Sequence, residues 1–444
     1  MRSILVALCR LLLRIFFRRI EVVGIERVPE AGPVMFTLNH PNGLIDPLFI
    51  LCLSTRPVSF LAKAPLFHTP VVKWFVRAFE CLPVHRKRDG NDPAHNRASI
   101  ERSVALLGSG NAIAIFPEGT SHAGSKLEPL RTGAARIALA AGAAGAGHTA
   151  SPVQIVPVGL HYLQPEVFRS DALLVFGDPL PVPVVDLDAQ LEPPRDEVRA
   201  LTDRIADAIA GLTLQAESVQ IARLAASAER ILSATEPDAP SLIQRLELQR
   251  RLVEGHAQLL SHPEVAALVQ RIESYERRLS EHALPLDHPV DGPRGRRDLA
   301  RSLAMLLVVL PFAVPGWIVN YATYRLIGTI AFRWSESSDV VATMKMVGGF
   351  SLFPITWLLW GLGLGFGLAW PAGVAMAVVG PASAFAALLA SELFEDARVQ
   401  AQAVLIRRAD PAFVGWLESE RTAIRAALIE LADVLPIGDA PASP

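Results

Sequence analysis

Three stretches between residues 299 and 395 contain no charged side chain: Leu303–Tyr324, Phe350–Leu368 and Trp370–Ser391. A run of about 20 apolar residues is long enough, as a helix, to cross the hydrocarbon core of a bilayer. One such run could be a buried helix of a soluble core. Three within about 90 residues point to a membrane-embedded helical region. Gly361, Gly363, Gly365 and Gly367 add the small-residue spacing that lets helices approach closely in lipid. Tryptophans 317, 334, 357, 360 and 370 fall in the same third of the chain and suit interface anchoring or helix packing.

The flanks of these runs constrain topology. Arg294, Arg296, Arg297 and Arg301 precede the first run, and Arg325, Arg333 and Lys345 follow it. Arg398, Arg407 and Arg408 follow the last. Basic flanks prefer the cytoplasmic side, and three complete crossings cannot put all of them there. The expectation is that Leu303–Tyr324, interrupted by Pro311 and Pro315, dips in and returns. The other two runs then form one helical hairpin.

Outside this region the chain is more ordinary. Over all 444 residues, apolar side chains make up 51% and charged ones 19%, below the usual ~25% charged, and too apolar for whole-chain disorder. A net charge of -2 argues against a dedicated nucleic-acid binder. Cys9, Cys52 and Cys81 are odd in number and scattered, so neither a disulfide framework nor a metal-ligand spacing is present. Residues 1–20 carry Arg2, Arg10, Arg14 and Arg18 on one broad side of an otherwise apolar helix. This suits an amphipathic segment lying on an anionic membrane. A secretory signal and a helix packed on the soluble domain are the competing readings. The arginines recur through the apolar run and no small-residue cleavage site follows, which disfavours the signal.

Residues 21–182 alternate apolar runs with helical stretches. Val34–Leu38, Val58–Ala62, Ala112–Phe116, Val153–Val158 and Leu173–Phe176 read as strands. Pro47–Leu53, Thr69–Phe79, Ala94–Leu107 and Ala134–Ala140 read as helices. That alternation predicts an α/β layer structure with buried strands. Residues 183–298 are rich in Ala, Leu, Arg and Glu at three- and four-residue spacing, a helical arm ending in a breaker-rich basic linker. Residues 299–395 are the membrane-embedded helices, and 396–444 a cytoplasmic helical tail.

Chemistry concentrates in three segments of the α/β region. In VMFTLNHPNGLIDPL a strand ends at Leu38, His40 follows, and Asp46-Pro47 opens a helix as N-cap and first residue. A carboxylate on one imidazole nitrogen fixes the tautomer and leaves the other as a general base. The alternative is an N-cap aspartate beside a turn histidine. In NAIAIFPEGTSH a strand runs into Phe116–Ser121. Gly119 permits close backbone approach, and the Thr120 and Ser121 hydroxyls with nearby N–H groups can hold phosphate oxygens. Glu118 is acceptor-only when ionised, so it orients a cation rather than touching an anion. In LPVHRKR, Arg86 could grip a phosphate bidentately. Arg131, in PLRTGA, is a further candidate cation.

These blocks resemble the glycerolipid acyltransferase (PlsC-like phospholipid/glycerol acyltransferase) superfamily over about residues 21–182. Asn39-His40 through Asp46-Pro47 resembles its first block, Pro83–Arg86 its arginine block and Ile155–Gly159 its last. Phe116–Thr120 matches its FPEGT block letter for letter. Five residues separate His40 from Asp46 where the family usually has four, and this HPN…DP form resembles a subgroup that includes glycerol-3-phosphate acyltransferases. The resemblance implies a mixed sheet flanked by helices. It implies His40 as general base, oriented by Asp46, with Arg86, Glu118, Gly119 and Thr120 forming the site for the acceptor phosphate. Lys63, Ser121 and Arg131 are additional candidates. It implies no metal and no cofactor; the co-substrate is acyl-CoA or acyl-carrier protein, and the partners are membrane lipids.

The expected activity is transfer of a fatty acyl group to the hydroxyl of glycerol 3-phosphate or its 1-acyl derivative in phospholipid synthesis. The catalytic domain would face the cytoplasm on the inner membrane. Two alternatives stay open: the same chemistry on another lysolipid, or a membrane scaffold that binds lipid without turnover.

Overall fold

The strand Val34–Leu38 is buried at all five positions. Val34, Phe36 and Leu38 enter one apolar cluster while Met35 enters another. A strand covered on both faces reads as a continuous apolar run rather than an alternating one. The two clusters are the two sides of one sheet. The computed structural model describes residues 2–69, 72–84, 93–122, 124–145, 152–234, 240–258, 263–286, 295–335 and 338–434. These divide into two compact units, residues 1–215 with 334–346, and residues 216–333 with 347–444.

The first unit holds an eight-stranded mixed sheet. Its strands are β1 (Arg19–Val23), β2 (Val34–Leu38), β3 (Val58–Lys63), β4 (Leu82–Val84), β5 (Ala112–Ile115), β6 (Gln154–Tyr162), β7 (Asp171–Phe176) and β8 (Leu180–Pro181). They lie in the order β1-β7-β6-β2-β5-β3-β4, with β8 beside β6. β4, β3, β5, β2 and β6 run parallel, and β7 and β8 turn back against β6. Helices α1 (Arg2–Phe16) and α2 (Ile45–Leu53) cover one face, burying Cys9, Leu13, Phe16, Phe49 and Ile50. Helix α3 (Val72–Ala78) follows β3. Helices α4 (Pro93–Gly108), α5 (Gly133–Gly145) and α6 (Arg195–Ala210) supply Leu107, Ile137, Leu139, Leu201 and Ile205 to the other core. Each fully buried Leu, Ile or Phe contributes about 1.5–3 kcal/mol.

Two features of this unit bear on the sequence expectations. The α/β unit does not stop at residue 182. α6 carries Val198, Leu201, Ile205 and Ile209 at helical spacing, and this stripe seals the second core. The N-terminal helix spends much of its apolar side on the protein: Cys9, Leu13 and Phe16 are buried. Arg2 and Arg10 donate to the carbonyls of Val58 and Cys52. Ile4 and Leu11 remain exposed.

The second unit is helical: α7 (Val219–Ser233), α8 (Leu242–Gln258), α9 (Pro263–Glu281), α10 (Gly295–Trp334), α11 (Ser338–Gly367), α12 (Trp370–Ala409) and α13 (Pro411–Val434). The end of α10 and the head of α11 belong to the first unit. Tyr275 and Leu279 of α9 pack with Ile231 of α7, Ala403 of α12 and Leu417 and Ile424 of α13. The arm and the tail therefore share one core. Three helices, Arg297–Trp334, Val340–Gly367 and Trp370–Ala409, are long and apolar enough to cross a membrane. Many of their large apolar side chains are exposed, Phe366 at 90%, while Ile327 and Met376 are buried. The expected re-entrant dip is absent. α10 runs unbroken through Pro311 and Pro315, each removing one backbone donor without ending the helix. Close packing uses part of the glycine pattern: a Cβ on Gly361 would lie 2.9 Å from the Gly373 carbonyl oxygen, while Gly363 and Gly367 meet nothing within 4 Å.

Candidate active site

The register of β2 and β5 places the first two chemical segments side by side. Thr37 pairs with Ile115, so His40 and Glu118 each lie three residues beyond the same rung. β3 pairs in parallel with β5 and with β4, and Lys63 opposes Val84. Lys63 thus reaches the same carboxyl edge of the sheet, the edge where open α/β sheets bind ligands. Arg86 follows β4 and lies outside the described residues.

β2 ends at Leu38, but its pairing with β6 is prolonged by a side chain. Asn39 donates through Nδ2 to the Leu160 carbonyl (2.9 Å) and accepts from the Leu160 N–H (2.7 Å). His40 is therefore held at a fixed height. Its backbone N–H donates to Glu118 Oε1 (2.8 Å), and its carbonyl accepts from the His122 N–H (3.1 Å). Its ring stacks on Phe116 with centroids 3.8 Å apart and planes within 7°. Phe60 backs that ring in turn.

The His40 Nδ1 lies 2.8 Å from Asp46 Oδ2. Asp46 is fully buried and His40 is 7% exposed. The same Oδ2 accepts from the Asn42 N–H (2.7 Å), and Oδ1 accepts from the Tyr162 hydroxyl (2.6 Å). Three donors thus converge on one carboxylate and hold it in place. With Nδ1–H committed to Asp46, Nε2 is the basic nitrogen, and it makes no hydrogen bond among the described residues. Burial, followed by the Asp46 charge, pushes the Tyr162 hydroxyl well above its ordinary range, so it remains a donor.

Asp46 is not the helix N-cap. Ile45 and Asp46 both donate backbone N–H to the Asn42 carbonyl. This starts α2 at Ile45 with Leu44 as N-cap. The extra residue between His40 and Asp46 is taken up in this loop, where Gly43 adopts φ +41°.

Glu118 faces inward and is 3% exposed. Besides His40, it accepts from the Glu128 N–H (2.9 Å) and bonds His122 Nε2 at 2.5 Å. His122 Nδ1 accepts from the Gly124 N–H, which leaves the proton on Nε2. Glu118 is thus a hub tying three loop segments together. Gly119 has φ +75°, and a Cβ there would lie 2.7 Å from Arg131 Nε. The missing side chain makes room for Arg131, whose own N–H bonds the Pro117 carbonyl (2.8 Å). Thr120 and Ser121 continue the same turn, half-buried.

The structure therefore brings His40, Asp46, Glu118, Gly119 and Arg131 together, with Lys63, Thr120 and Ser121 at the same edge. Sequence reasoning missed Asn42, Tyr162 and His122. Only His122 carried a local signal, four residues after Glu118.

A histidine oriented by a buried carboxylate, basic at Nε2 and set at the carboxyl edge of a mainly parallel sheet, is equipped for general-base catalysis. Residues 19–161 match the family model described as Acyltransferase, so this segment is an acyltransferase-family domain. The chain is 23% identical to glycerol-3-phosphate O-acyltransferase 1 of Saccharomyces cerevisiae, over 78% of this chain and 58% of that protein. It is 27% identical to the chloroplastic 1-acyl-sn-glycerol-3-phosphate acyltransferase BAT2 of Brassica napus, over 32% of this chain and 38% of that one. The chain spans little more than half the length of the yeast protein. Similarity to the crystal structure of the 1-acyl-sn-glycerophosphate (LPA) acyltransferase PlsC from Thermotoga maritima covers 46% of this chain and 78% of that one, at 19% identity and a TM-score of 0.33.

Proposed function

We propose that this chain is a membrane-embedded O-acyltransferase. It moves a fatty acyl group from a thioester, acyl-CoA or acyl-carrier protein, to the hydroxyl of glycerol 3-phosphate or 1-acyl-glycerol 3-phosphate. The observation that carries the reading is the His40–Asp46 pair, with its open Nε2, inside the acyltransferase-family domain. His40 Nε2 takes the proton of the acceptor hydroxyl as its oxygen attacks the thioester carbonyl. The tetrahedral adduct collapses, the carbon–sulfur bond breaks, and the thiolate leaves with the proton from His40. Ester and free thiol are the products; the sequence calls on no metal, prosthetic group or acyl-enzyme. Asp46 steadies the imidazolium that forms between the two transfers. Arg131 beside Gly119, with Thr120, Arg86 and the further candidates Lys63 and Ser121, receives the acceptor phosphate. Glu118 shapes that site from behind.

The yeast relative extends over most of this chain, while the Brassica relative covers about a third of it. That supports glycerol 3-phosphate as the first acceptor to test. The apolar helices would keep the domain where its insoluble product is released, and the basic flanks favour the cytoplasmic face of the inner membrane. The test is thiol release with a matrix of donors and acceptors, using His40→Ala as the blank. Removing a general base should cost about 10²–10⁴-fold with folding intact. Wild-type activity in His40→Ala would falsify the mechanism, and release indifferent to the acceptor phosphate would refute the assigned substrate.

A further inference from the structure

The loop joining His40 to Asp46 is held by a residue about 300 positions away. Leu44, the N-cap of α2, donates its backbone N–H to Thr343 Oγ1 at 3.1 Å. Its neighbours Ile45 and Asp46 spend their N–H groups on Asn42. Thr343, 6% exposed, satisfies the Leu44 donor from outside the loop. Ala342 is fully buried in the core that contains Phe49 and Ile50, and Met346 packs on that core. Lys345 Nζ donates to the Glu166 carbonyl (2.7 Å), and Asn42 Nδ2 to the neighbouring Pro165 carbonyl (3.3 Å). The head of α11 thus grips both the catalytic loop and the turn that the same loop leans on. Asn42 also donates to Asp46. Thr343 thus pins Leu44, whose chain neighbours Ile45 and Asp46 bond the Asn42 carbonyl, while the Asn42 N–H bonds the carboxylate that orients His40.

We infer that Thr343 is a positioning residue for the His40–Asp46 pair, and that the head of α11 is a strut for the catalytic loop. The catalytic part rests on the acyl-transfer reading above. The experiment compares Thr343→Val and Thr343→Ser in the full chain in nanodiscs, by steady-state thiol release and by hydrogen exchange of the peptide covering residues 41–46. Valine keeps the shape and removes the acceptor oxygen; serine keeps the oxygen. Small misplacements of catalytic groups cost up to about 10²-fold. Thr343→Val should therefore lose about 10–100-fold in kcat with acceptor KM unchanged, and exchange at the Leu44 amide should quicken. Thr343→Ser should recover most of the rate. Wild-type kcat in Thr343→Val, or equal losses in both variants, overturns the positioning role. If the wild-type chain releases no thiol from any donor, the acyl-transfer reading falls. Exchange then decides the strut alone, and an unchanged Leu44 amide overturns it.

Discussion

Replacing Tyr162 by Phe removes one oxygen and leaves the ring. The ring is held by Phe17 (centroids 5.6 Å) and Phe49 (5.8 Å), so packing survives the change. What is lost is the 2.6 Å bond to Asp46 Oδ1, in a place where no solvent reaches the carboxylate. A hydrogen bond to a charged group is worth about 1.5–3 kcal/mol. At roughly 2–4 °C per kcal/mol for a unit of this size, the first thermal transition should fall by about 3–12 °C. If about half of the interaction also steadies Asp46 in the transition state, kcat falls about 3- to 12-fold, since 1.4 kcal/mol is a factor of about ten. Acceptor KM should not move. The pH dependence carries a sign. Tyr162 has a folded pKa raised above its unfolded value of about 10, by burial first and the Asp46 charge second. Its contribution to stability is complete below pH 10 and is lost as pH climbs toward the folded value. Tyr162→Phe should flatten that alkaline loss. The assay is thiol release with glycerol 3-phosphate, alongside melting curves between pH 7 and 11. Removing the phenol oxygen in an Asp46→Asn background should cost less than in the wild type, the mark of a direct pair. A Tyr162→Phe variant with unchanged kcat and unchanged melting would refute the claim that this hydroxyl holds the carboxylate.

Gly119→Ala puts a Cβ against Arg131 Nε at φ +75°, which costs about 1–2 kcal/mol in backbone strain alone. It should raise acceptor KM more than it lowers kcat, read from acceptor titrations. Burial pushes the Cys81 thiol up to about 11. At pH 8 it should alkylate about 100-fold more slowly than an exposed cysteine, followed by mass spectrometry with iodoacetamide.

Much of the sheet was legible because its central strands are buried on both faces and are rich in β-branched and aromatic residues. β2, β3, β5, β6 and β7 were all anticipated. β1 was hidden because Arg18 and Arg19 continue the basic pattern of α1 into the strand. β4 is three residues with a central proline, below what alternation can reveal. His40 and Glu118 were legible because they lie two and three residues past a strand end, and Asp46 because it stands before a proline in the first turn of a helix. Tyr162 and Thr343 were not. They lie 116 and 299 residues from the groups they serve, and only the register of β6 and the path of α11 bring them there. Arm and tail looked separate for the same reason: Ile231 and Ile424 meet in a core that no local window contains.

The first unit is interrupted: the 118 residues from Ala216 to Arg333 lie between its two pieces. On a ribosome adding about 5–20 residues per second, that interval lasts roughly 6–24 s. During it the sheet can form, but the Leu44 amide has no acceptor. The loop between His40 and Asp46 stays loose until α10 has been made and α11 begins to emerge. Maturation of the proposed His40–Asp46 pair is thereby ordered in time behind synthesis of the first apolar helix, so a nascent chain that fails at that step leaves a half-built site.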